Sequence, residues 1–252
     1  MAKKRLKRIQ AGRLVREALW TAPMPNDSPK ARAEKSKCSS AARQRMNDKY
    51  SWQKLKMTIA ANFGYSDIVI TLTYDDAHLP KDKEAARQYL KKFFAALRSY
   101  RRTRGETLKY IYCTEDKHGD GRIHHHVILN GTGEDYELIR SLWCYGSNLE
   151  FERLDIYGYE ELAKYMSKEA REFGHGKVGA RTWVPSKGLV KPVVETEWVD
   201  AGVRLDPPRN AHIIASEHTE NEWGKWEYLE YLLPEDLPMR RVRPRKPKPN
   251  KA

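Results

Sequence analysis

The stretch from Gly121 to Asn130 (Gly-Arg-Ile-His-His-His-Val-Ile-Leu-Asn) constrains the fold more than any other. β-Branched and apolar residues alternate with polar ones, and glycines flank it at 119, 131 and 133, which predicts a β-strand. Successive side chains of a strand point to opposite faces. Arg122, His124, His126 and Ile128 therefore share one face, and Ile123, His125, Val127 and Leu129 share the other. The second set is mostly apolar and is expected to face the core. Two imidazoles then project from the opposite face, each with a lone pair to offer a cation.

A third ligand lies just upstream. Lys109 to Glu115 (Lys-Tyr-Ile-Tyr-Cys-Thr-Glu) reads as a strand ending in a carboxylate, and the polar, glycine-containing linker that follows predicts an antiparallel hairpin. Paired opposite Arg122 or His124, Glu115 would share the histidine face. Two histidines and one carboxylate leave coordination positions open, as a catalytic ion needs. The competing reading is a polar histidine run on an exposed strand. The carboxylate and the apolar alternation on the other face favour the metal. Asp116 and His118 are the alternative ligands, and Cys113 is expected as a small wall residue.

Around this hairpin the pattern is regular. Asp67–Tyr74 predicts a strand. Asp82–Arg101 predicts a helix capped by Asp82, with Ala86, Tyr89, Leu90, Phe93, Phe94 and Leu97 as its apolar face. After the two hairpin strands, Glu134–Cys144 predicts a second helix and Asn148–Ile156 a fourth strand. The order β-α-β-β-α-β predicts an α+β, ferredoxin-like fold with a central antiparallel sheet. Right-handed crossovers place the histidine strand between the first and second strands. Both helices then cover one face, and the face carrying His124 and His126 is left for the next segment. Tyr157–Gly174 predicts one helix with Leu162, Met166 and Phe173 on its apolar edge. Tyr165 and Lys168, three apart, are neighbours on that helix. An isolated Tyr-x-x-Lys is ordinarily a packing residue and a solvated one. Behind a metal-site candidate on a basic chain, it is a candidate nucleophile with a cation beside it.

The basic balance is large: Lys+Arg 47 against Asp+Glu 34, a net charge of +13. That favours a polyanionic partner such as nucleic acid. No apolar run approaches the ~20 residues of a membrane span, and no apolar segment follows the basic N-terminus as a secretory signal would require. Three scattered cysteines argue against a disulfide framework and for a reducing compartment. Residues 1–45 are expected as a basic N-terminal arm, helical over Met1–Ala18. Asn47–Phe63 predicts an amphipathic helix closed by Gly64. His175–Lys191 is glycine-rich, basic and aromatic, and reads equally as a single-strand contact or a plain loop. Lys191–Asp200, Ala211–Ala215 and Glu227–Leu233 predict strands, and Met239–Ala252 a disordered basic tail. The expected organisation is an arm (1–45), one catalytic domain (46–192), its C-terminal β extension (193–236) and the tail (237–252). No phosphate-cradling Gly-Lys-Ser/Thr loop is present, so no helicase domain is expected in this chain.

Taken together, the chain resembles the HUH endonucleases, specifically the replication initiator (Rep) proteins of rolling-circle plasmids and phages. The resemblance rests on His124-His125-His126, on the upstream strand Thr71-Leu72-Thr73-Tyr74 and on Lys164-Tyr165-Met166-Ser167-Lys168, and covers about Asn47 to Pro192. It implies an enzyme that nicks single-stranded origin DNA with a divalent ion, Mg2+ or Mn2+. A tyrosine attacks a backbone phosphate, leaving a 5′-phosphotyrosine and a free 3′-OH, and strands are later rejoined. By the resemblance, His124, His126 and Glu115 are metal ligands, Tyr165 is the nucleophile and Lys168 assists it. Thr73, Arg122, Lys164, Arg181 and Lys187 are the expected nucleic-acid contacts. Host helicase and polymerase are the expected partners, no membrane is involved, and the bacterial cytoplasm is the expected location. The family's second tyrosine, four residues before the nucleophile, is replaced here by Glu161, which implies a single-tyrosine enzyme; Tyr157 and Tyr159 are its nearest substitutes. The middle motif residue, usually bulky and apolar, is His125. The alternatives are an HUH transposase or mobilisation relaxase and, from another class, a non-catalytic nucleic-acid binding protein.

Overall fold

The structure, a computed structural model, describes residues 3–21, 40–116, 121–173, 181–221 and 224–235. The chain divides into two compact units, one of Arg32–Val190 and one of Met1–Ala31 with Lys191–Ala252. No helix among the described residues is long and apolar enough to cross a membrane.

The central unit contains helix α1 (Ser40–Asn62), strand β3 (Ile68–Leu72), helix α2 (Lys83–Thr103), the hairpin β4 (Tyr110–Glu115) and β5 (His124–Leu129), helix α3 (Asp135–Leu142) and strand β6 (Leu149–Arg153). Two short helices follow, α4 (Tyr159–Tyr165) and α5 (Lys168–Phe173), and a short strand β7 (Val184–Pro185). Its sheet runs β6-β3-β5-β4-β7, antiparallel throughout. Omitting the β7 edge, this is the expected α+β, ferredoxin-like order, with the histidine strand between the first and second strands of the pattern.

The face assignment also holds. Ile123, Val127 and Leu129 of the histidine strand join Ile70 and Leu72 of β3 in a core with Leu90, Phe93 and Leu97 of α2 and Ile139 of α3. Asp82 caps α2 by accepting a hydrogen bond from the Ala85 N–H. At the far end of α2, buried Arg101 donates to Asp135 (2.6 Å) and Asn130 (2.7 Å), locking the helix to the loop before α3. Arg101→Ala would leave the buried Asp135 carboxylate without its cation. It is expected to cost about 3–5 kcal/mol in denaturant unfolding, and a loss below about 1 kcal/mol would show the pair to be a surface ornament.

His125 is fully buried on this core face, yet both ring nitrogens are partnered. Nε2 lies 2.7 Å from the Tyr74 hydroxyl and Nδ1 lies 2.9 Å from the Thr114 hydroxyl. Burial holds its pKa well below the usual imidazole value, so the ring is neutral. The polar substitution in an apolar position is thereby satisfied rather than orphaned.

Three expectations are corrected. The segment expected as one helix breaks after Tyr165: the Ser167 hydroxyl donates back to the Ala163 carbonyl (2.8 Å), and the Ser167 N–H bonds the Lys164 carbonyl, tightening the turn. Met1–Ala18 is not a helix and the described part of 1–45 is not simply an arm. Residues 3–21 form strands β1 (Lys3–Ala11) and β2 (Leu14–Thr21), turned on Gly12 at φ 56°. Nor do the C-terminal strands extend the central sheet. β8 (Val193–Asp200), β9 (His212–Asn221) and β10 (Gly224–Leu232) build a separate antiparallel sheet with them, ordered β8-β1-β2-β10-β9. Its core packs Val15, Leu229, Tyr231 and Leu233 against Leu205 and Ala211. The expected tail at 237–252 lies outside the described residues.

Candidate metal centre and tyrosine

The hairpin register builds the site. Glu115 pairs with His124 and Cys113 with His126, so the carboxylate and both imidazoles stand on the sheet face away from α2 and α3. Ile111 and Ile128, paired on the same face and fully buried, make an apolar floor beside them. Cys113 is the buried wall residue expected; burial, with the Glu115 carboxylate next, pushes its thiol far up, so it stays a neutral thiol.

Each imidazole is aimed by its other nitrogen. His124 Nδ1 donates to the Arg122 carbonyl (2.9 Å), and His126 Nδ1 lies 3.3 Å from the hydroxyl of Thr71, its cross-strand partner. That leaves Nε2 of both rings directed at Glu115 Oε2, at 3.5 Å and 3.6 Å. Such second contacts fix the tautomer and orientation of metal-binding histidines. The ligand atoms of Glu115, His124 and His126 all lie within 4.8 Å of one another. Both Glu115 oxygens and His126 Nε2 are buried without a hydrogen bond of ordinary geometry. Leaving such atoms unsatisfied costs about 1–3 kcal/mol each, and a divalent cation among them would satisfy all three. The residues present therefore fit a metal.

The helices after the sheet complete the site. The Tyr165 ring meets the His126 ring edge-on at 4.7 Å, and Tyr165 is 45% exposed, open to a large substrate. Lys168 Nζ lies 4.2 Å from the Tyr165 ring centroid and 3.3 Å from Glu115 Oε2. Burial would raise the Glu115 carboxyl, but His124, His126 and Lys168 outweigh it and hold Glu115 ionised well below the usual range. Burial would lower His124, but Glu115 and the Arg122 carbonyl raise it above its usual value. Burial raises the Tyr165 phenol, and Lys168 partly offsets this.

A pH dependence follows for ion binding. A proton on His124 competes with the ion for Nε2, and its raised pKa extends that competition to higher pH. Mn2+ affinity, measured by calorimetry, is expected to fall roughly tenfold or more from about pH 8 to about pH 6. A flat profile would mean that His124 is not a ligand.

The remaining expected residues are placed as follows. Asp116 is not in the ligand group. Its carboxylate is 3.0 Å from Lys83 Nζ, and its N–H donates to Glu169 (2.7 Å). Lys83 also pairs with Glu169, so this cluster ties the start of α5 to the end of β4. His118 lies outside the described residues. Tyr159 is buried and donates its hydroxyl to the Phe63 carbonyl (2.8 Å), so it is a packing residue, whereas Tyr157 and Glu161 are exposed. Among the nucleic-acid candidates, the Thr73 hydroxyl donates to the Asn148 carbonyl. Arg122 bonds Asp76 (2.8 Å) and the Tyr74 carbonyl (3.0 Å), and Lys164 pairs with Glu160 (2.6 Å) over the Trp52 ring. Arg181 and Lys187 are exposed. The parts that sequence reasoning missed are the supports: the Thr71 hydroxyl and the Lys83–Asp116–Glu169 cluster. Thr71 stood in a quoted strand, but its role needs the strand register.

Comparison with known proteins bears on one region. No curated protein and no solved structure matches the chain. Residues 67–170 match the family described as Replication-associated protein ORF2, less than half of the chain. The matched region begins just before β3 and ends within α5, and it contains Glu115, His124, His126, Tyr165 and Lys168. In that region the chain is similar to a family of replication initiators, which supports a replication-initiator-type protein that acts on DNA.

Proposed function

We propose that the central unit is a metal-dependent DNA strand nickase and strand transferase of the HUH type that starts rolling-circle replication. The observation that carries this reading is the juxtaposition of an exposed tyrosine, a lysine and a buried Glu-His-His group, within a region similar to replication initiators. Glu115, His124 and His126 would hold Mg2+ or Mn2+, which when bound supplies Lewis-acid polarisation of the scissile phosphate and neutralises part of its charge.

The chain's own residues do the rest. Tyr165 Oη forms a bond to phosphorus as the phosphorus–O3′ bond breaks. The phenol gives up its proton, the departing 3′-oxygen gains one, and the products are a 5′-phosphotyrosine and a free 3′-OH. Phosphodiester energy is retained in the tyrosine linkage, so a later hydroxyl can displace Tyr165 and rejoin a strand. The Lys168 ammonium favours the phenolate as it develops, and Glu115 holds that ammonium in place. His124 and His126 stay fixed through their Nδ1 contacts, which keeps the ligand set preorganised.

The test is a pool of single-stranded DNA, labelled in separate samples at either end, incubated with the protein and Mn2+ and run on a denaturing protein gel. A covalent band carrying only the 3′-end label, and lost with chelator, is the expected result. Tight binding of the same DNA with no covalent band, using pools that contain the cognate origin, would favour a non-catalytic binding protein.

A further inference from the structure

The second unit takes no part in the proposed cleavage, yet its sheet carries an aromatic and basic face. Strand register sets Trp198, Arg5, Trp20 and Trp226 side by side across β8, β1, β2 and β10. The next row on the same face includes Lys7 and Tyr228. Ring geometry agrees with the register. Trp226 and Tyr228 are stacked at 5.8 Å with 13° between their planes, and the Arg5 guanidinium lies 5.4 Å from the Trp198 ring centroid. Arg5 and Lys7 are exposed, and the aromatic residues are half-buried.

The opposite face is already occupied. Lys4, on that side, donates to the Val203 carbonyl (2.9 Å), and the Leu205 N–H bonds Glu227. Leu205 and Ala211 pack on the core there. The connection between β8 and β9 therefore covers one face, and the indole face is the one it leaves uncovered.

We propose that this face binds single-stranded nucleic acid, with bases stacked on the indoles and phosphates held by Arg5 and Lys7. Neighbouring strands lie about 4.8 Å apart, so adjacent rows present flat π surfaces at a spacing that unstacked bases can follow. Every base has a π face, so such a platform tolerates sequence. The arrangement suits a nucleic acid better than a protein partner. A protein-binding core excludes lysine and is rich in apolar contact, whereas here exposed cations sit within the aromatic rows. Binding at this face needs no cleavage and stands or falls independently of Tyr165.

The test uses the full chain in chelator, with an oligo(dT) of about 20 nucleotides carrying either fluorescein or 5-iododeoxyuridine. Photo-crosslinks mapped by mass spectrometry are expected on Trp20, Trp226 or Tyr228. Trp226→Ala is expected to weaken binding about tenfold without changing its salt dependence, and Trp226→Phe to restore most of it. Arg5→Ala with Lys7→Ala, at exposed positions, is expected to flatten the salt dependence instead. Crosslinks confined to residues 40–190, or wild-type affinity in Trp226→Ala, would overturn the proposal. Should Trp226→Ala melt early, the crosslink map and the Arg5→Ala/Lys7→Ala salt slope decide.

Discussion

Tyr165→Phe is expected to lower DNA nicking by about 10^4-fold or more while leaving DNA affinity within a factor of about two. The substitution removes one oxygen. The ring that meets His126 edge-on, with Lys168 at 4.2 Å from its centroid, is retained. Tyr165 is 45% exposed, so no core packing is lost. The large loss in rate with little loss in binding is what separates a nucleophile from a packing residue. Normal nicking by Tyr165→Phe would remove this residue from the chemistry, and the exposed Tyr157 would become the next candidate.

The second large effect concerns the ion. Within the ligand group His126 is the more buried histidine, its Nε2 has no hydrogen-bonding partner, and Thr71 and Tyr165 fix its ring. His126→Ala is expected to weaken Mn2+ binding by more than about 100-fold, since altering even an outer-shell partner of a ligand costs about 10–100-fold. Binding and stability are linked. At about 100 times its dissociation constant, an ion stabilises the folded chain by about 2.7 kcal/mol. The wild-type melting temperature should therefore rise on adding Mn2+, and the His126→Ala value should not. His124→Ala should behave alike. If both variants keep the metal-dependent rise, the ion is held elsewhere.

The central fold and the core of this site were legible because they rest on local periodicities. Period-two alternation gave β3 to β6, period-3.6 spacing gave α2 and α3, and handedness placed β5 between β3 and β4. The same alternation set His124 and His126 on one face and His125 on the other. What the sequence hid depends on contacts far apart in the chain. The strands of residues 3–21 pair with β8 and β10, near the other end, and alone their lysines and arginines looked like a solvated arm. The break at Ser167 turns on one hydroxyl choosing a backbone carbonyl, which no periodicity records. His125 looked like a misfit until register brought the Tyr74 and Thr114 hydroxyls to its two nitrogens.

The most direct test of the account is to digest the covalent protein–DNA species with protease and nuclease and locate the nucleotide by mass spectrometry. A nucleotide phosphate on Tyr165, formed only with a divalent ion and absent from His126→Ala, is the predicted result. A nucleotide on any other residue, or on Tyr165 in metal-free protein, would contradict a mechanism that joins this tyrosine to the Glu115–His124–His126 group.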